Sequence, residues 1–298
     1  MKLKTLALLL ATTLSTTSFG QDVQETFSGT RILNGHSTET LKANILQFRI
    51  EHRFGDLAGA NGGINNFFGF DQAADIRFAF EYGITDQLMI GLGRNKGTGD
   101  PYSGLLDGFV KYRVLTQNAE KKIPLNVAII ASSTLTYAKA FEDQTLNVIQ
   151  NYPEFAHRMA YSTQINISRK FGERLSVALM PTYVHRNYVR ADDVNGVFAL
   201  GTAVRFRLSK QYGLIGEYYP TFSKEGFRSE FSNSLSFGFE WITNGHDFKI
   251  VLTNSRGFTE SQFIPYTFSR WIDEDEVTGK NVVGQFRLGF SIARDFKL

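Results

Sequence analysis

The chain has 298 residues, with 32 Lys or Arg, 29 Asp or Glu and no Cys. The lack of cysteine excludes disulfides, thiol catalysis and thiolate metal sites. Without Lys2 and Lys4 of the leader described next, 30 basic residues face 29 acidic ones, a net charge of +1 that gives no footprint for nucleic acid.

Residues 1–20 read as a secretory signal peptide. Lys2 and Lys4 precede a short apolar stretch, and Ser18 and Gly20 stand at the −3 and −1 positions of a cleavage site. Export follows, with Gln21 as the first mature residue. Residues 21–42 form an N-terminal periplasmic segment. It can be a free tail, a plug that folds into a lumen, or an arm beneath a barrel.

From residue 43 to 298 the sequence beats in twos. Apolar and polar side chains alternate over short segments, as strands with one greasy and one wet face require. Twelve strands are predicted, at 43–54, 75–83, 87–94, 108–115, 124–133, 156–169, 174–185, 197–208, 211–219, 234–242, 247–254 and 285–298. The last is the plainest: Phe286, Leu288, Phe290 and Ile292 fall on one face, Arg287, Gly289 and Ser291 on the other. The connections alternate in length. Those at 84–86, 116–123, 170–173, 209–210 and 243–246 are short; those at 55–74, 95–107, 134–155, 186–196, 220–233 and 255–283 are longer.

This alternation predicts an all-β fold, a transmembrane antiparallel β-barrel of about twelve strands with short periplasmic turns and long extracellular loops. An even strand count puts both termini on the periplasmic side of an outer membrane. No apolar run after residue 20 is long enough for a membrane-spanning helix.

Phasing the strands assigns the faces. The charged residues predicted to face the lumen are Arg49, Glu51, Arg53, Arg77, Glu81, Lys111, Arg113, Arg158, Arg205, Arg207, Glu217, Glu240, Lys249 and Arg287. Buried charges must be paired or wet, and four carboxylates do not neutralise ten cations. Two readings stay open: a wet pore that favours anions, as rings of Arg and Lys do, or a lumen filled by a segment that supplies acceptors. Beside the short turns, Tyr82, Tyr112, Phe206, Tyr212, Trp241, Phe248 and Phe296 fall on the lipid face and read as an interfacial aromatic girdle.

Signatures of catalysis and cofactors are lacking. The five histidines are scattered, with no His-Glu-x-x-His helix and no Gly-x-Ser-x-Gly elbow. Gly91-Leu92-Gly93 lacks the remaining spacing of a dinucleotide loop. The run Asp273 to Glu276 reads as a solvated acidic loop rather than a Ca²⁺ site. No catalytic residue, cofactor or metal ligand is assigned, and the chain is read as a non-enzyme.

The stretches 29–41 (GTRILNGHSTETL), 48–55 (FRIEHRFG), 69–94 (GFDQAADIRFAFEYGITDQLMIGLGR) and 107–117 (DGFVKYRVLTQ) resemble a β-barrel family of Bacteroidota envelope proteins, classed as a domain of unknown function. The resemblance implies an outer-membrane barrel and carries no functional residue across. The expected function is a passive porin-like channel for small, anionic solutes in contact with outer-membrane lipid. The alternatives are a closed accessory barrel that binds an envelope protein partner and, more distantly, a barrel-embedded lipid-modifying enzyme.

Overall fold

The computed structural model describes residues 25–59, 61–72, 75–97, 103–142, 149–223, 228, 230–274 and 281–298. The predicted signal peptide, Gln21 to Gln24, and Asp275 and Glu276 of the acidic run lie outside the described residues.

Twelve long strands form the wall: β1 (Ile45–Asp56), β2 (Asp75–Gly83), β3 (Leu88–Lys96), β4 (Gly104–Leu115), β5 (Asn126–Thr136), β6 (Met159–Phe171), β7 (Leu175–Arg186), β8 (Gly196–Arg207), β9 (Tyr212–Tyr219), β11 (Ser234–Thr243), β12 (His246–Thr253) and β15 (Arg287–Lys297). Three short strands complete the set. β10 (Thr221–Phe222) pairs with β8 just past β9, and β13 (Ile272–Glu274) pairs antiparallel with β14 (Asn281–Val283) in the last long loop. Each wall strand pairs antiparallel with its neighbours around the ring. β1 closes on β15, with Ile45 opposite Lys297 and Ile50 opposite Ile292. The sheet therefore has no free edge, the condition for strands to cross lipid.

The two-residue beat becomes two faces. On β8, Val197, Ala199, Gly201, Ala203 and Arg205 are buried, while Phe198, Leu200, Val204 and Phe206 are exposed. On β6, Ala160, Ser162, Gln164, Asn166 and Ser168 point inward. The outward face leaves large apolar groups uncovered, Leu92 at 68% and Phe198 at 61% exposure. In water such a surface costs about 25 cal/mol per Å², so the solvent that suits it is hydrocarbon.

Two strand boundaries change the chemistry. β4 starts at Gly104, not 108, because its ladder with β5 continues through Gly108 and Asp107 to Leu105 opposite Thr136. Asp107 thereby joins the inner face. β6 starts at Met159, not 156. Residues Phe155–Arg158 form a 3-10 turn, with the Glu154 amide donating to His157 Nδ1 at 3.1 Å. Arg158, predicted on the lumen wall, therefore lies on a turn above it and donates to the carbonyls of Ala138 (2.6 Å) and Thr136 (3.4 Å).

Candidate functional site

The lumen is not empty. Glu25 and Thr26 lie at the mouth formed by the short turns, where Thr26 Oγ1 accepts from Asn126 Nδ2 at 2.5 Å and Thr26 O from Arg205 at 3.4 Å. From there the segment climbs inside the barrel. It turns in a tight hairpin, with Arg31 bridged to His36 and the Ile32 amide donating to Gly35 O at 2.9 Å. Then it descends to Lys42, which pairs with Asp86 of the β2–β3 turn at 3.2 Å. It leaves over Gly83, where any β-carbon would stand 2.1 Å from Lys42 O. Both ends of this re-entrant segment thus sit at one mouth.

Sequence phasing placed the wall charges inside but did not show what faces them. Lys111 donates to three carbonyls of the segment: Thr30 (2.7 Å), Ser37 (3.1 Å) and Glu39 (3.1 Å). Lys249 donates to those of Ser28 (2.9 Å) and Arg31 (2.6 Å). Arg49 reaches Thr30 Oγ1 at 2.9 Å and lies 3.5 Å from Glu81. Glu81 accepts from Thr30 Oγ1 and Glu240 from Ser28 Oγ, both at 2.5 Å. Glu217 accepts the amides of Asn34 (2.9 Å), Leu33 (3.2 Å) and Gly35 (3.2 Å) at the hairpin tip. Gly35 fits because a β-carbon there would sit 1.9 Å from the Tyr219 hydroxyl. Phe27, Ile32 and Leu33 supply the apolar part and pack with Met180, Val184 and Ile215 of the wall.

A second element fills the opposite end. Residues 254–269 of the last long loop fold inward around a single helical turn, Glu260–Phe263. Phe263 meets Tyr219 edge to face at 5.0 Å. Arg53 donates to the carbonyls of Ser255 (2.9 Å) and Gly257 and to Asn34 Oδ1, and its guanidinium lies over Phe258 at 4.6 Å. Arg287 holds Asn254 O (3.2 Å) and Ser269 Oγ (2.9 Å). The two fillings meet where Glu260 faces both Arg31 and His36 at 3.8 Å. Burial pushes the Glu260 carboxyl up, against the pull of Arg31. Nearer the long loops, Asp193 joins Arg186 (2.7 Å) and Arg228 (2.6 Å). Partial burial works to raise the Asp193 carboxyl, but the Arg186 hydrogen bond and both guanidinium charges outweigh it and hold the carboxyl below its ordinary value.

The charge imbalance read from the sequence is corrected here. Among the described residues, ten basic and eight acidic side chains are buried, so most charges have a partner. The added carboxylates are Asp56, Asp75, Asp107 and Glu260. Arg77 spans Glu51 and Asp107, the latter through two bonds of 3.0 and 2.6 Å, and Arg205 meets Glu240 at 2.5 Å. Eleven of the fourteen predicted lumen charges are buried. Arg113, Arg158 and Arg207 are half-buried at the mouths. Arg113 donates to Asp86 O at 2.9 Å and faces Glu39 at 3.6 Å, and Arg207 donates to Ser209 O at 3.0 Å.

The seven predicted girdle aromatics all lie on the outward face beside the short connections. Tyr212, Trp241 and Phe248 stack in a row, at 6.4 and 5.4 Å between centroids. Tyr82 donates to Asn44 Oδ1 at 3.0 Å. Tyr112 stands opposite Leu88, Phe206 opposite Leu214, and Phe296 opposite Leu46.

A family model described as a membrane-bound β-barrel domain, DUF5777, matches residues 27–296. Among curated proteins none matches. Solved structures similar to the chain include the NanC porin, with 8% identity and a TM-score of 0.49 over 84% of this chain and 98% of that one. The KdgM porin gives 8% and 0.48 over 85% and 99%. An outer-membrane channel from Pseudomonas putida F1 gives 14% and 0.44 over 87% and 98%.

Proposed function

We propose that this chain, which belongs to the DUF5777 family of membrane-bound β-barrel domains, is an outer-membrane channel of the porin kind that its own N-terminal segment holds shut. The observation that carries this reading is the path of residues 25–42. The segment enters and leaves by one mouth and is held by hydrogen bonds and side-chain packing rather than by a place in the sheet. It can therefore withdraw without unthreading, and the barrel remains closed on itself through β1 and β15.

With the segment withdrawn, the wall presents Arg49, Lys111, Arg205 and Lys249 to water, with the half-buried Arg113 and Arg207 at one mouth, while Arg53 keeps its bonds to the carbonyls of Ser255 and Gly257. Such groups favour small anionic solutes. Eight cations and seven carboxylates are buried on the wall strands themselves, so the preference is a modest one. The aromatics Tyr82, Tyr112, Phe206, Tyr212, Trp241, Phe248 and Phe296 serve as the periplasmic-side lipid girdle. The filled lumen equally favours a second reading, a closed accessory barrel with an envelope protein partner.

Planar-bilayer recording separates the two. The full chain is expected to give few or no steps. A variant lacking residues 25–41 is expected to give roughly tenfold or more mean current, with anions more permeant than cations under a salt gradient. A folded variant without current that lacks both residues 25–41 and the inward-folded residues 254–269 would leave the accessory barrel as the function.

A further inference from the structure

Between β1 and β2, at the long-loop end, residues 57–59 and 61–72 form a built element. The Asp56 carboxylate accepts the amides of Gly59 (3.0 Å) and Asn61 (3.1 Å). The amides of Gly63, Asn66, Phe68, Phe70 and Gln72 donate to carbonyls within the loop. Gly69 presses so closely on the end of β1 that a β-carbon would stand 2.6 Å from Gly55 O. Inside this frame, Phe67 (φ 43°) and Phe68 (φ 54°) adopt left-handed backbone conformations in succession, which bulky L residues rarely take.

The frame delivers apolar groups outward. Ile64 is 71% and Phe67 58% exposed, and Phe68 and Phe70 are exposed as well. Phe70 packs on Phe54 at 4.7 Å and Phe67 on Phe70 at 5.9 Å. Phe54 in turn meets Phe290 at 6.3 Å, and His52 stacks on Phe290 at 5.4 Å. His52, Phe54 and Phe290 belong to the outward face of β1 and β15. The loop aromatics thus continue the membrane-facing surface beyond the last rung of the sheet.

We infer that residues 63–70 form a membrane anchor, in which Ile64, Phe67 and Phe68 insert among the lipids of the leaflet on the long-loop side. Continuity with the lipid-facing wall identifies the occupant. The amides of Gly63, Asn66, Phe68 and Phe70 are bonded within the loop; the irregular backbone stays in the polar headgroup layer, as unpaired groups require, and the side chains dip from there to the depth where aromatic groups settle. This inference rests on the membrane-spanning barrel alone, whether or not the lumen conducts.

The cysteine-free chain allows a direct test with a bimane label on Phe67→Cys and, for comparison, on Asp192→Cys of the exposed β7–β8 loop. Both are reconstituted in phosphatidylcholine–phosphatidylglycerol vesicles, and the folded fraction is selected by its heat-modifiable mobility. The Phe67 label is expected to be quenched several-fold more than the Asp192 label by a lipid spin-labelled near its headgroup, and less by aqueous iodide. Equal iodide quenching at both positions, with no response to the spin-labelled lipid, would overturn the anchor. If Phe67→Cys does not fold, Ile64→Cys gives the same reading from the same loop.

Discussion

Replacing Arg77 by methionine is expected to lower barrel stability by about 3–5 kcal/mol, the usual cost of removing one partner from a buried ion pair. Arg77 is fully buried and neutralises both Glu51 and Asp107. The substitution strands two carboxylates in a place that hydrates poorly. Denaturant titration in lipid vesicles, read by loss of the heat-resistant electrophoretic form, measures the change. Adding Glu51→Gln and Asp107→Asn to Arg77→Met removes the stranded charges and is expected to recover at least about half of the loss. If the single substitution leaves the midpoint unchanged, the triad is solvated and the lumen at β1, β2 and β4 is not filled.

The substitution Lys111→Met is expected to act on the inserted segment and leave the wall intact. It removes the donor shared by Thr30, Ser37 and Glu39 carbonyls. The loss of hydrogen bonds to a charged group is worth about 3 kcal/mol or more in the hold on residues 26–39. Hydrogen exchange reads this locally. The amides of residues 30–39 are expected to exchange roughly 100-fold faster, while those of β5 to β8 keep their protection. An unchanged rate would mean that Lys111 does not anchor the segment. Uniform acceleration would mean that segment and wall open as one unit.

The barrel was legible because its signal is periodic. The pleat fixes which way Arg49, Lys111 or Lys249 points, and the parity of a strand needs only a few residues to read. The partners of these cations were not legible, because Thr30 O and Ser37 O are backbone acceptors that every residue owns. A weak signal did exist. Phe27, Ile32 and Leu33 are apolar without a two-residue beat, and β6 lines its inner face with Ser162, Gln164, Asn166 and Ser168, which need company if no water reaches them. Asp107 was missed because the stretch from Gly104 to Asp107 reads as loop and the strand as starting at Gly108, although the ladder with β5 continues through both glycines. Glu260 sits on a loop with no periodicity at all, and only three-dimensional closure brings it to Arg31. Arg158 was placed on the wall because its parity fits β6, whereas the His157 bond to Glu154 turns the chain one step earlier.

The central claim is that residues 25–42 occupy the lumen and govern passage through it. Thr38 Oγ1 and Ser168 Oγ lie 2.7 Å apart, one on the inserted segment and one on β6, and no native cysteine competes. The variant Thr38→Cys, Ser168→Cys is therefore recorded in planar bilayers, oxidised and then reduced, in moderate urea that loosens the segment before the wall. The expected result is a spontaneous crosslink, no current while it holds, and conducting steps on reduction that match those of the variant lacking residues 25–41. Failure of the two cysteines to join, or equal current in the oxidised and reduced protein, would contradict it.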